Sequence, residues 1–218
     1  MFSTIRRLFG FGPREPKQLS EDKRAKLRES TGGFLHEGLA NAWSAEVVRE
    51  NALNVFSGEL PDEELAADID TLLLGLDAER KAAVANWPEV TDCDRLDAAF
   101  AEIKASGLIA EQNFWCCQAC ASSDVHSIMK QARKSAVAIP RGYVFYHEQD
   151  TESAVCGHGL FLAFGSWNGQ ASAFHDIALE VIATLKEHGF DPEWNAKLDQ
   201  RIFLPLDWKR RCPLPKSY

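Results

Sequence analysis

From residue 20 to about 90 the hydrophobic positions recur every three to four places, the period of a helix packed on one side. The stretch "SAEVVRENALNVFSG" opens at Ser44, a residue suited to an N-cap, carries Val47, Val48, Ala52, Val55 and Phe56 on its apolar face, and stops near Gly58. "PDEELAADIDTLLLGLDAERKAAVANW" begins with Pro61 and three acids, the chemistry a helix N-terminus favours, and is read as two helices hinged near Gly75 and Asp77. Another helix is expected at "TDCDRLDAAFAEIKASG", where Thr91 and Asp94 have capping-box spacing and Gly107 is the stop. Cys93, Leu96, Phe100 and Ile103 share one face of it, which predicts Cys93 as a small hydrophobe in the core.

After Gly107 the period changes. "LIAEQNF" is a strand candidate, and a helix from Ser123 to Lys134 places Val125, Ile128, Met129 and Ala132 on one face. "GYVFYHE" and "LFLAFGSW" read as strands joined through the turn "CGHG", and "SAFHDIALEVIATLKEHG" as an amphipathic helix stopped by Gly189. "FDPEWN" and "RIFLPLDW" are read as short strands of a closing hairpin. The order strand, helix, strand, strand, helix, strand, with one more strand appended, predicts an α+β protein: a helical N-terminal segment followed by a ferredoxin-like split βαβ sandwich with an extra C-terminal strand. Two right-handed crossovers would put both helices on one face of the sheet and leave the other for the helical half. The divisions expected are a basic flexible tail at 1–19, a helical segment at 20–90, an α+β domain at 91–212 and a C-terminal tail at 213–218.

The stretch "WPEVTDCDRLDAAFAEIKASGLIAEQNFWCCQACASSD", with "GYVFYHEQDTESAV", "GLFLAFGSW" and the closing "RIFLPLDWKRR", resembles the DUF6891 domain family of bacterial proteins of unknown function. The resemblance runs from about residue 87 to 211, and more loosely through the helical half, and implies no particular activity, substrate or cofactor. Its pattern has CC-x-x-C followed by Gly; Cys116, Cys117 and Cys120 match, Ala121 stands at the Gly position, and Cys156 lies outside the pattern.

Charge narrows the choice of partner. The chain of 218 residues has a formal net charge of −8, which argues against a nucleic-acid footprint. Residues 1–28 hold eight Lys/Arg against three acids, so +5, leaving −13 over the remainder. The basic start is too short and too charged to span a bilayer, and no apolar signal region follows its arginines. Phe2, Ile5, Leu8 and Phe9 have near-helical spacing, so residues 1–11 allow a weak membrane contact, but Gly10, Gly12 and Pro13 end any helix there and a frayed tail is favoured. A cytoplasmic protein with mostly reduced thiols is expected.

Three readings compete for "NFWCCQACASSDVH". Cys117 and Cys120 have the C-x-x-C spacing of half a zinc site, which Cys156 and His158 of "CGHG" would complete, with Cys116 or His126 as substitutes. A C-x-x-C ahead of a helix also suits thiol redox chemistry, with Pro140 nearby in sequence, although only 20 positions separate Cys120 from Pro140 and a thioredoxin needs more. The favoured reading is that these thiols line the strand–helix junction as core, Cys117 falling on the stripe of Ala121 and Val125. "YHEQDTE" is read as a strand end, with His147 and Gln149 alternating against Glu148 and Asp150, and with Glu152 close by. Together with Asp92, Asp94 and Arg95 these residues form the candidate ligand or partner surface. Trp115, Trp167, Trp194 and Trp208 are expected to seal strand ends. No phosphate loop, nucleophile elbow or zinc-protease motif occurs. The expectation is a non-enzymatic binding or regulatory module recognising a protein or small molecule without a cofactor, the alternative being a Zn2+ or thiol-redox protein using CC-x-x-C.

Overall fold

The computed structural model describes residues 19–134, 139–168 and 170–214. The expectations for residues 1–18, the membrane contact at 1–11 included, and for 215–218 lie outside the described residues. The chain divides into two compact units, one taking in residues up to Leu39 and Trp43–Ala82, the other Ala40–Ala42 and the chain from Ala83 onward.

The first unit is helical: α1 (Glu21–Ala40), α2 (Ala45–Val55) and α3 (Asp62–Val84, whose last residues fall past the division). The Ser44 hydroxyl accepts the N–H of Val47 and caps α2 as its position predicts. Gly38 lets α1 approach α2 closely, since a Cβ there would fall 2.8 Å from a methyl of Val48. The core gathers Leu35, Leu39, Val48, Ala52, Leu65, Ile69 and Leu73. Two expectations are corrected. Val47 and Val55 are exposed, so the buried face of α2 is narrower than its run of valines suggests. There is also no hinge at Gly75 and Asp77: α3 continues unbroken, because one exposed glycine costs a helix only about 1 kcal/mol, less than is returned by burial of Leu65, Ile69 and Leu73 before it and packing of Leu76 after it.

The second unit runs α4 (Asp92–Ala105), β1 (Ile109–Glu111), α5 (Gln118–Lys134), β2 (Gly142–Phe145), α6 (Glu148–Val155), β3 (Leu160–Ser166), α7 (Ala171–Glu187) and β4 (Ile202–Leu204). Thr91 and Asp94 form the capping box at the start of α4, each side chain accepting the other's backbone N–H, and Gly107 leaves its end at φ 94°. The protein is thus mixed α+β with a helical N-terminal part. The strand order is β1-β2-β3-β4, with β1 parallel to β2 and the other pairs antiparallel. A split βαβ would set a strand between β1 and β2; here Ile109, Ala110 and Glu111 pair directly with Tyr143, Val144 and Phe145.

Alternation along the strands decides what each face carries. Leu160, Leu162 and Phe164 of β3 and Val144 of β2 join α4 and α7 in one core, with Leu96, Phe100, Ile177, Val181 and Leu185. Phe145, Ala163 and Ile109 point the other way and pack with Ala121 and Val125 of α5. The crossover helices α5 and α7 therefore lie on opposite faces rather than together. α4, which precedes the sheet, shares the face of α7, and α5 occupies the face expected to be left for the helical half. Two further corrections concern the ends of strands. "YHEQDTE" is not a strand end: β2 stops at Phe145 and α6 starts at Glu148, because the Asp150 carboxylate accepts the His147 N–H at 3.1 Å and the His147 carbonyl accepts the N–H of Thr151. "FDPEWN" contributes a single bridge, Glu193 to Phe203, instead of a strand, as Pro192 beside it has no N–H to donate. The four tryptophans are partly buried against the two cores of this unit.

Candidate thiol site and the buried histidine

The loop between β1 and α5 has little freedom. Asn113 and Trp115 sit at φ 49° and 63°, a region a bulky side chain rarely enters. The conformation is held from several sides: Phe114 N–H donates to the Tyr146 carbonyl at 2.8 Å, Glu148 N–H to the Trp115 carbonyl at 3.0 Å, the Trp115 indole to Asp124 at 3.0 Å and the Thr151 hydroxyl to Asn113 at 2.7 Å. These bonds tie the loop to the β2–α6 junction and deliver Cys116 and Cys117 to the mouth of α5.

Cys117 is the N-cap of that helix: its carbonyl accepts the first helical N–H, from Ala121, and α5 begins at Gln118. Cys120 lies one turn on. The ligand atoms of Cys116, Cys117 and Cys120 all lie within 4.8 Å of one another. Cys116 and Cys120 are exposed and Cys117 half-buried, so these thiols do not pack in the core; Cys93 does, and burial pushes its thiol up to about 11. The Cys117 thiol is lowered below its usual value, first by the backbone N–H of Cys120, then by the Cys120 thiol, the N–H of Ala119 and the Cys116 thiol. Cys120 is pushed up to about 11 by the Cys116 and Cys117 sulfurs beside it. A three-thiol group anchored on a helix N-terminus can ligate a soft metal ion or undertake thiol exchange.

Cys156 and His158 are not part of this group. Cys156 ends α6, His158 follows it in the turn with Gly157 at φ 82° and Gly159 at φ 76°, and both side chains are exposed. His126 packs edge-on against Trp167 and bonds through Nδ1 to the Ser122 carbonyl.

His147 and Asp150 do come together, with a third residue that the sequence reading missed. Arg201 donates to both Asp150 oxygens at 2.9 and 3.1 Å, and the Asp150 carboxylate lies 3.2 Å from His147 Nε2. His147 is 4% exposed and its Nδ1 has no hydrogen-bond partner. Burial lowers the imidazole below its usual value, with Arg201 adding to that effect and Asp150 and Glu148 opposing it, so the ring is held neutral. Glu148 is half-buried at the start of α6 and Glu152 is exposed. Asp92, Asp94 and Arg95 have local structural tasks: Asp94 caps α4, while Arg95 pairs with Asp92 at 2.6 Å and donates to the His188 and Gly189 carbonyls that end α7.

A second polar network was also missed. Arg210, 1% exposed, forks onto Asp97 with two bonds of 2.9 Å; Asp97 accepts from Gln112, and Gln112 from the Tyr146 hydroxyl. The cue was available in "DWKRR", an arginine pair after an aromatic at the close of "RIFLPLDWKRR".

Taken together, these features define an α+β protein that presents a three-cysteine group at the surface of a short mixed sheet. The chain belongs to the family described as Domain of unknown function (DUF6891), whose model matches residues 20–212. Neither a curated protein nor a solved structure matches it. Among the described residues no helix is long and apolar enough to cross a membrane.

Proposed function

We propose that this protein is a non-enzymatic binding module of the cytoplasm whose ligand is a thiophilic metal ion held by Cys116, Cys117 and Cys120. One observation carries the reading: three sulfurs from a constrained loop and the first turn of α5 converge within 4.8 Å while two of the three side chains are exposed. Exposed thiols gain no burial by converging, whereas a shared metal ion rewards that arrangement. A reducing compartment keeps all three available. Thiol exchange by Cys117 and Cys120 is the second reading, supported by the position of Cys117 at the cap of α5 with Cys120 one turn away.

The test is metal uptake by untagged full-length protein, purified reduced and without oxygen, followed by sulfur-to-metal charge-transfer absorption on adding Cd2+. About one equivalent per chain is expected, lost in the variant with Cys116, Cys117 and Cys120 all changed to Ser while its circular dichroism is unchanged. Failure to bind, with ready formation of a Cys117–Cys120 disulfide on adding oxidised glutathione, favours the exchange reading. Failure in both assays sinks the two together.

A further inference from the structure

The metal reading leaves open which ion the site suits, and the number of its ligands bears on that. All six cysteines and all six histidines of the chain lie among the described residues. Of these, Cys116, Cys117 and Cys120 alone form a group within ligating reach of one another, and among the described residues no carboxylate joins them. A structural zinc site is closed by four protein ligands in a tetrahedron, and a three-ligand zinc centre keeps a water or substrate in the fourth place. Monovalent copper is softer, has a filled d shell that imposes no geometry, and is satisfied by two or three thiolates.

The way the ligands are presented agrees with a three-coordinate ion. Cys116 and Cys117 are adjacent residues of a loop fixed by four hydrogen bonds, and Cys120 is carried by the first turn of a 17-residue helix. The sulfurs are therefore the corners of a triangle held by one short segment. The other two cysteine–histidine candidates, Cys156 and His158, stand in a separate turn after α6 and are not brought to it.

Building on the proposed metal-binding function, we infer that the group is a surface tri-thiolate site for monovalent copper, with Cys116, Cys117 and Cys120 as its full set of protein ligands. Binding adds one Cu+ to the three sulfurs, and each sulfur still protonated gives up its proton to solvent; no electron moves. Because Cys116 and Cys120 are exposed, the ion can be approached from outside by an incoming thiol, so it can enter and leave by ligand exchange without unfolding of the unit.

Two competitions on the reduced full-length protein test this. In one, Cu+ is presented as its complex with the coloured chelator bicinchoninate; in the other, Zn2+ is presented as its complex with the dye 4-(2-pyridylazo)resorcinol. The protein is expected to withdraw about one equivalent of Cu+ and far less Zn2+ at matched free-ion levels, as three thiolates with no fourth protein ligand favour the softer ion. X-ray absorption at the copper edge should show three sulfur neighbours. Cys120→Ser should weaken Cu+ retention at least about tenfold, with circular dichroism unchanged, whereas Cys156→Ser with His158→Ala should not alter it. Zn2+ withdrawn from the dye as readily as Cu+, or loss of copper on changing Cys156 and His158, overturns the copper assignment while leaving a metal-binding module. Uptake of neither ion overturns both.

Discussion

Arg210 places a guanidinium where water does not reach, at 1% exposure, while the side chain of its partner Asp97 remains 40% exposed. The two ends of this pair should therefore respond differently to substitution. Asp97→Ala strips a buried cation of its carboxylate and should cost about 3–5 kcal/mol. Arg210→Met leaves a carboxylate that water can solvate and replaces one long side chain by another, so about 1–2 kcal/mol is expected, mostly from altered packing. Urea unfolding of the two variants checks the order, and equal losses would show that the enclosure of Arg210 is not what matters. His147 supplies a pH dependence of a distinct kind. Its imidazole is held below the unfolded value by burial and by Arg201, against Asp150 and Glu148, so the unfolded chain binds the proton more readily. Stability is then complete above about pH 6.5 and falls as the pH drops through that value toward the folded pKa. His147→Gln should flatten the change in urea midpoint between about pH 7 and 5, a window above most carboxylate titrations; parallel curves for variant and parent would exclude His147 as the source. Of this site the sequence displayed the residue types in "YHEQDTE" but not Arg201, which lies 54 positions after His147 and arrives only because β4 pairs with β3.

Helices and strands set opposite terms for the same substitution, and two glycines make the contrast measurable. Gly75 lies within α3, is exposed, and a Cβ built on it meets nothing within 4 Å. Gly75→Ala should raise stability by up to about 1 kcal/mol, the helix-propensity difference; a working hinge at that position would give no gain or a loss. Gly165 of β3 faces Tyr143 across the β2–β3 pair, and a Cβ there would fall 2.5 Å from the tyrosine ring, which is itself packed against Phe145 and Trp167. Gly165→Ala should cost about 1–3 kcal/mol through overpacking. Denaturant midpoints for both variants settle the signs. The misread elements fail for related reasons. A glycine in the middle of "TLLLGLD" weakens a helix without ending it, which makes propensity a poor guide wherever apolar residues continue on both sides. "HEQDTE" looks like a strand end because "YVFY" precedes it, yet a carboxylate three residues after His147 is the local signal of a helix start. Where caps, stops and apolar stripes agreed, at Ser44, Thr91, Gly107 and Gly189, the element ends were legible.

Across the whole molecule, the list of elements was easier to read than their arrangement. The alternation of Leu160, Leu162 and Phe164 against Ala163 shows that β3 is covered on two faces, but no local pattern in the three residues of β1 or of β4 names a neighbour. Strand order is set by pairings between segments far apart in the chain, so direct pairing of β1 with β2 and the opposite placement of α5 and α7 were beyond a one-dimensional reading. The three-cysteine group was visible as spacing, whereas its exposure and its separation from Cys156 depended on loop geometry. The charge of the molecule bears on how that group would be loaded. The chain carries −8 overall, and the Asp124 carboxylate flanks the cysteine loop by accepting the Trp115 indole N–H. The cations Arg133 and Lys134 end α5 about 24 Å from its cap at 1.5 Å per residue, beyond the screening length of about 8 Å at physiological salt. An anionic copper–glutathione complex therefore approaches a region of its own sign, and copper transfer from it should be slow in dilute buffer and quicken as NaCl is added. Stopped-flow transfer rates across a salt series, with an uncharged thiol carrier as control, provide the measurement. A rate that falls with salt would mean that cations govern the field at the cysteine loop, and the search for the carrier would turn to acidic proteins that this loop attracts.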